Sequence, residues 1–253
     1  MKHLTYLLLF ALAFTFVSCE DDEDPIVAGD TELSINFAAE FGGEDLAIQS
    51  EAYDYPGGDR LKMQLFQYYV SDLQLLPADG GDPVLLSEIE LIRYASATED
   101  NVDTRTFTVP TGEYTGVRFG LGVKPELNAV DPNNFAATDP LNANEFWTAA
   151  TRYVFAKIEA NADLLGDDIF DIPVTIHMGS NDLYRTVTLD RDFRLTGNGA
   201  EELTVVTDIL EALGGSDDTY DITVEANRRV HGGNQALATS VFSGLADEFT
   251  LER

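Results

Sequence analysis

Few side chains in this sequence can do directed chemistry. The chain has three histidines, one tryptophan and one cysteine, and two of these residues fall in one stretch, 144–179. It reads N-E-F-W-T-A-A-T-R-Y-V-F-A-K-I-E-A, then an acidic turn, then D-I-P-V-T-I-H-M-G, and holds both Trp147 and His177. Over 171–178 the residues alternate. Ile172, Val174, Ile176 and Met178 point to one side, while Pro173, Thr175 and His177 point to the other. An imidazole set off the aliphatic face, followed by a glycine that lets backbone come close, is a candidate metal ligand. The plainer role for it is a hydrogen-bonded histidine at a strand end. Trp147 reads most simply as a large core anchor.

Other chemistries find no support. Beyond Cys19 there is no thiol nucleophile, and the sequence lacks a G-x-S-x-G elbow, a Walker loop and a G-x-G-x-x-G between strand and helix. The expectation is a protein that is not an enzyme, with no catalytic residues. The many carboxylates always supply a chance pair, so pairing alone means nothing here. D-P-N-N and G-S-D-D-T-Y-D offer oxygen ligands for calcium, yet neither has the EF-hand spacing. Forty-five acidic residues against fifteen Lys and Arg give a formal charge of −30. Such a surface repels nucleic acid, which excludes that class of partner, and it attracts cations diffusely without making a site.

The elements that must position His177 and Trp147 are strands. A length of 253 residues suits one large all-β domain with a sizeable core. L-S-I-N-F-A-A-E-F alternates as a half-buried strand. The run 61–76 is rich in β-formers, but its alternation slips near 66–70, which predicts two strands or one bulged strand. Further strands are expected at 87–94, 105–109, 114–123, 153–159, 172–178, 184–189, 202–206 and 222–226. Between them, 124–144 is a long loop rich in Asp, Asn and Pro, the kind that carries function in a compact domain. Asp208 to Leu213 reads as one or two helical turns. At the end, Leu237, Val241, Leu245 and Phe249 recur every four residues behind a plausible N-cap, Asn234, and predict an amphipathic helix. Gly244 within it costs about 1 kcal/mol relative to Ala. The fold expected is a β-sandwich of mostly antiparallel strands, with a long irregular loop and a C-terminal amphipathic helix.

The N-terminus reads as an address. Met1-Lys2 and the apolar run 4–17 lead to Val17-Ser18-Cys19, too short to span a bilayer and laid out like a lipoprotein signal. Residues 1–18 are then a signal peptide and Cys19 the lipidated first residue, although Phe16 stands where Leu is usual. E-D-D-E-D-P behind it begins an extended acidic tether over 19–30 and resembles the export tag of Bacteroidetes-type surface lipoproteins. This predicts an outer-membrane lipoprotein, facing the periplasm or the cell surface and held to the membrane through Cys19. With its only cysteine so used, the domain over 31–253 has no disulfide.

Five motifs in order resemble the MbnP-like family of copper-binding proteins: Y-Y-V-S-D-L-Q-L-L, V-P-T-G-E-Y-T-G-V-R-F-G-L-G-V, the Asn128 behind it, F-W-T-A-A-T-R-Y-V-F-A-K-I-E-A and I-H-M-G. The resemblance runs from about Leu33 to Phe249. It implies copper held by histidines near a tryptophan, which in some members is oxidised to kynurenine by a MauG-type di-haem partner. Trp147 matches the first tryptophan of the family's W-x-W, with Ala149 in place of the second. Lys157-Ile158-Glu159-Ala160 matches K-x-E-G with Ala for Gly, and His177 matches the histidine of H-x-G. His231, which on its own reads as a surface loop residue beside Arg229, falls where the family often has another histidine. Copper suits this set, since imidazole binds both oxidation states and a thioether from Met178 or Met63 would favour Cu(I). Regular alternation, however, turns Met178 away from His177. Two histidines are a thin site, and a third ligand would be a carboxylate, a backbone group or oxidised Trp147. The alternative is a surface lipoprotein that keeps the fold as an interaction or structural module without the metal.

Overall fold

Phe37 of one sheet meets Tyr68 of another edge to face at 6.5 Å, and the Tyr94 hydroxyl crosses the same gap to donate to the Phe37 carbonyl at 2.8 Å. These contacts sit in the core of a β-sandwich. The computed structural model describes residues 25–98, 101–150, 152–214, 220–231 and 235–252. Cys19, the segment 1–18, the first half of the acidic tether (19–24) and Asn234 lie outside the described residues.

The first strands are β1 (Asp30–Phe41), β2 (Glu44–Asp45), β3 (Tyr53–Tyr55), β4 (Asp59–Pro77), β5 (Val84–Tyr94), β6 (Val102–Pro110) and β7 (Gly112–Leu121). A short helix, α1 (Pro125–Asn128), opens the long loop. After it come β8 (Phe146–Thr148), β9 (Arg152–Tyr153), β10 (Ala156–Asp163), β11 (Ile172–Met178), β12 (Arg185–Leu195) and β13 (Glu201–Asp208). The chain ends with α2 (Ile209–Ala212), β14 (Arg229–His231), α3 (Gln235–Asp247) and β15 (Thr250–Glu252).

One sheet runs β15-β13-β1, with β6 and β2 also paired to β1; the other runs β12-β7-β4-β10-β11-β14, with β5 and β3 also paired to β4. Most pairs are antiparallel, but β1–β13 and β11–β14 are parallel. The run read as two strands or one bulged strand is the single strand β4. Phe66 to Ser71 are all buried on it, so both faces are covered and the alternation fades there, as in any doubly covered strand. The register slips on either side of that run: against β10 between Met63 and Leu65, and against β7 between Ser71 and Gln74, where Asp72 takes a φ of 46°.

α3 buries Val241 and Leu245 of the predicted four-residue stripe, with Ala238 and Phe242 beside them; Leu237 is partly buried, and Phe249, beyond the helix, wedges between Tyr68 and Phe119, 5.3 Å from each. Gly244 is explained by contact. A Cβ there would stand 2.5 Å from the Ala212 carbonyl oxygen of α2.

One expected strand is wrong. Residues 222–226 do not pair; they form a turn leading into a short 3-10 helix, Glu225–Asn227. Local bonds hold it: Tyr220 Oη donates to the Asn227 carbonyl and Arg228 Nη1 to that of Ile222 at 3.0 Å. The strand in this region is instead Arg229–His231, three residues later.

Candidate metal centre

That shift decides the site, because β14 pairs with β11 in parallel and sets His231 directly beside His177. The register continues across the sheet. His177 lies opposite Lys157 of β10, Lys157 opposite Gln67 of β4, and Gln67 opposite Arg93 of β5. Side chains level with one another on neighbouring strands share a face. Arg93, Gln67, Lys157, His177 and His231 therefore form one polar row across five strands, with the aliphatic core behind it.

The two imidazole centroids are 4.6 Å apart, the rings near perpendicular at 82°. Over them lies Trp147, its ring 5.7 Å from His177 and 5.5 Å from His231. The indole is 42% exposed, so it is no core anchor; its edge contacts are the two imidazoles. Met178 corrects a second expectation. It points into the core at 0% exposure, as does Met63, so neither thioether reaches the imidazole face. The structure brings together His177, His231 and Trp147 and leaves Met178 out.

Second contacts fix the rings. His177 Nε2 is 2.7 Å from Glu159 Oε1. An ionised carboxylate only accepts, so a neutral His177 carries its proton on Nε2 and keeps a bare lone pair on Nδ1. His231 Nε2 lies 3.1 Å from Thr175 Oγ1, whose own proton points to the Arg228 carbonyl; the network again assigns the proton to Nε2. Burial pushes the His177 pKa down. The hydrogen bond and charge of Glu159 work against that, while His231 and Lys157 add to it. The result is a neutral imidazole, the form that binds metals.

The long loop delivers Trp147. Buried Asn128 donates to Asn181 Oδ1 at 2.8 Å and accepts from the Tyr153 amide at 3.5 Å. Arg152, held at a φ of 57°, donates to the Asn128 and Val130 carbonyls. The Tyr69 and Tyr153 hydroxyls donate to the carbonyls of Pro140 and Leu141. The glycines of these segments allow the close approach. A Cβ on Gly179 would sit 2.6 Å from the Tyr153 carbonyl oxygen, and one on Gly122, at φ +99°, would sit 2.5 Å from the Phe155 ring. β8 and β9 form a small ribbon that joins neither large sheet. Beside it a cleft of about 120 Å³ is lined by Glu145, Trp147, Lys157 and His177, among others. Depressions of about 550 and 510 Å³ next to Tyr114 carry no imidazole, so size alone does not mark the site.

Two bare nitrogens under an indole form a small donor set. Two bonds near 2 Å span about 4 Å between nitrogens, and the two ring centroids stand 4.6 Å apart. Among the described residues no group of three His, Cys, Asp or Glu side chains is gathered for a metal. The set fits an ion content with few imidazole ligands, as copper is, and does not fit a four-ligand structural zinc. Alternation singled out His177, and the family resemblance named both it and His231. Glu159, Thr175 and Lys157 were missed as partners, although each sits at the same parity on its strand, and only the register of a three-residue strand sets His231 beside His177.

The sequence profile of the MbnP family matches residues 30–232. Among solved structures, MbnP from Methylosinus trichosporium is similar, with a TM-score of 0.54 at 17% identity, covering 76% of this chain and 80% of that one. At that identity the likeness is one of fold. No curated protein sequence matches the chain.

Proposed function

Since the chain belongs to the MbnP family, we propose that it is a non-enzymatic copper-binding protein whose metal is held between His177 and His231 beneath Trp147. The observation that carries this reading is the register match of two imidazoles on neighbouring strands, 4.6 Å apart and capped by the chain's only tryptophan. Copper, when bound, supplies a redox-active cation that the protein captures and hands on. The residues divide the work. His177 and His231 present Nδ1 lone pairs, Glu159 and Thr175 hold the opposite nitrogens, and Trp147 keeps water off one side of the pair. Lipidation at Cys19 would keep the domain outside the inner membrane, on the periplasmic or outer face of the outer membrane. The half-exposed indole is open to an oxidising partner of the MauG di-haem class, and intact-mass analysis of protein from its native host reads that modification directly.

Titration of the metal-free protein with Cu(I) and with Cu(II) tests the centre, alongside His177→Ala and His231→Ala. Loss of one imidazole is expected to weaken binding by at least about tenfold, since a ligand is then missing outright. Equal affinity in all three proteins rejects the site. The small donor set favours one other reading, a module that keeps the fold without the metal; it predicts that none of the three binds copper beyond the diffuse attraction of its carboxylates.

A further inference from the structure

Trp147 sits over the histidines although its own strand joins neither sheet, so something else must hold it there. The residue two positions earlier does so. Glu145 Oε1 accepts from Arg93 Nη2 at 2.6 Å, and Glu145 Oε2 lies 3.9 Å from Lys157 Nζ. Arg93 is itself fixed, its Nε donating to the buried Gln67 Oε1 at 3.0 Å. Arg93, Gln67 and Lys157 are the first three members of the row whose last two members are His177 and His231. Glu145 closes the turn just before β8, and it and Trp147 lie along one polar row, the carboxylate gripping its cationic end and the indole covering its imidazole end. The Glu145 side chain is only 15% exposed, where an ion pair is screened less than at an open surface. Phe146, between them, turns the other way, onto Tyr153 at 5.4 Å and beneath the Arg152 guanidinium.

We propose that Glu145 is a positioning residue for the copper centre, a clasp onto Arg93 and Lys157 that keeps Trp147 closed over His177 and His231. The clasp rests on the copper reading for its purpose but not for its existence, since its contacts run between protein groups alone. Its loss leaves both imidazoles in place and frees the indole.

Fluorescence of Trp147, the sole tryptophan, in the metal-free full chain is the test, with acrylamide as quencher. Glu145→Gln keeps the side chain's size and removes its charge; it is expected to raise the quenching constant severalfold and move emission to longer wavelength. Arg93→Gln should give a smaller change in the same direction, because Lys157 remains. Glu88→Gln, at a carboxylate paired with Lys124 away from the row, should leave the spectrum as it is. Unchanged thermal midpoints separate a freed indole from a loosened fold, and Arg93→Gln decides alone if Glu145→Gln does not fold. Copper binding in Glu145→Gln is expected to weaken about fivefold, the scale of one ordinary hydrogen bond. Wild-type quenching in every folded variant overturns the clasp. Wild-type protein that binds no copper, with quenching still raised in Glu145→Gln, leaves the clasp standing and removes the metal.

Discussion

Glu159 determines which nitrogen of His177 is free, and the consequences run in two directions. Its charge and hydrogen bond hold the His177 pKa up against a larger effect of burial. Glu159→Gln therefore lowers that pKa further, and it frees the ring to place its proton on Nδ1, so copper affinity should fall by about tenfold or more. Proton NMR of the metal-free protein follows the first effect, and copper titration the second. Stability carries the same sign. With the folded value of His177 below its ordinary 6.5, the unfolded chain takes up this proton first as pH falls. The contribution of the neutral ring is full above 6.5 and lost on the way down through the folded value. Thermal midpoints should drop over that window in the wild type and drop less in His177→Asn. At this scale His177 was legible because a single alternating run separates faces. Trp147 was placed near the histidines only by the family resemblance: by itself a large aromatic reads as core, and nothing in F-W-T-A-A reveals that its partners are two imidazoles on other strands.

Among the elements, those with an unbroken period were the easiest to read. β11 has the bounds its alternation gives, Ile172–Met178, and α3 buries the centre of the predicted stripe, Val241 and Leu245. β14 escaped detection because three residues have no period. Ile222 to Ala226 looked more strand-like, yet Val224 is 44% exposed and the segment satisfies its polar groups locally. Register, which places His231, is a property of two strands together and is not written in either alone. Gly244 reverses an expectation based on propensity. In an open helix Gly244→Ala would stabilise by about 1 kcal/mol. Here the added methyl group meets the Ala212 carbonyl oxygen at 2.5 Å, and forcing α2 and α3 apart should cost about 1–3 kcal/mol instead. Calorimetric melting settles the sign: a higher midpoint in Gly244→Ala contradicts the packing described.

For the whole molecule, the sandwich was legible from strand count, turn residues and the C-terminal helix. The pairing of β1 with β13 and of β11 with β14 in parallel was not, because both join segments distant in sequence. The formal charge of −30 now bears on the metal. So acidic a surface gathers copper loosely through carboxylates whether or not a centre exists, and binding alone cannot distinguish the two. X-ray absorption at the copper edge can, because back-scattering from imidazole rings differs from that of carboxylate oxygens. With one equivalent of Cu(I), the wild-type protein should show two imidazoles on the metal, and His177→Ala and His231→Ala one each. An oxygen-only shell in the wild type, or the same imidazole count in all three, would contradict the assignment of this centre.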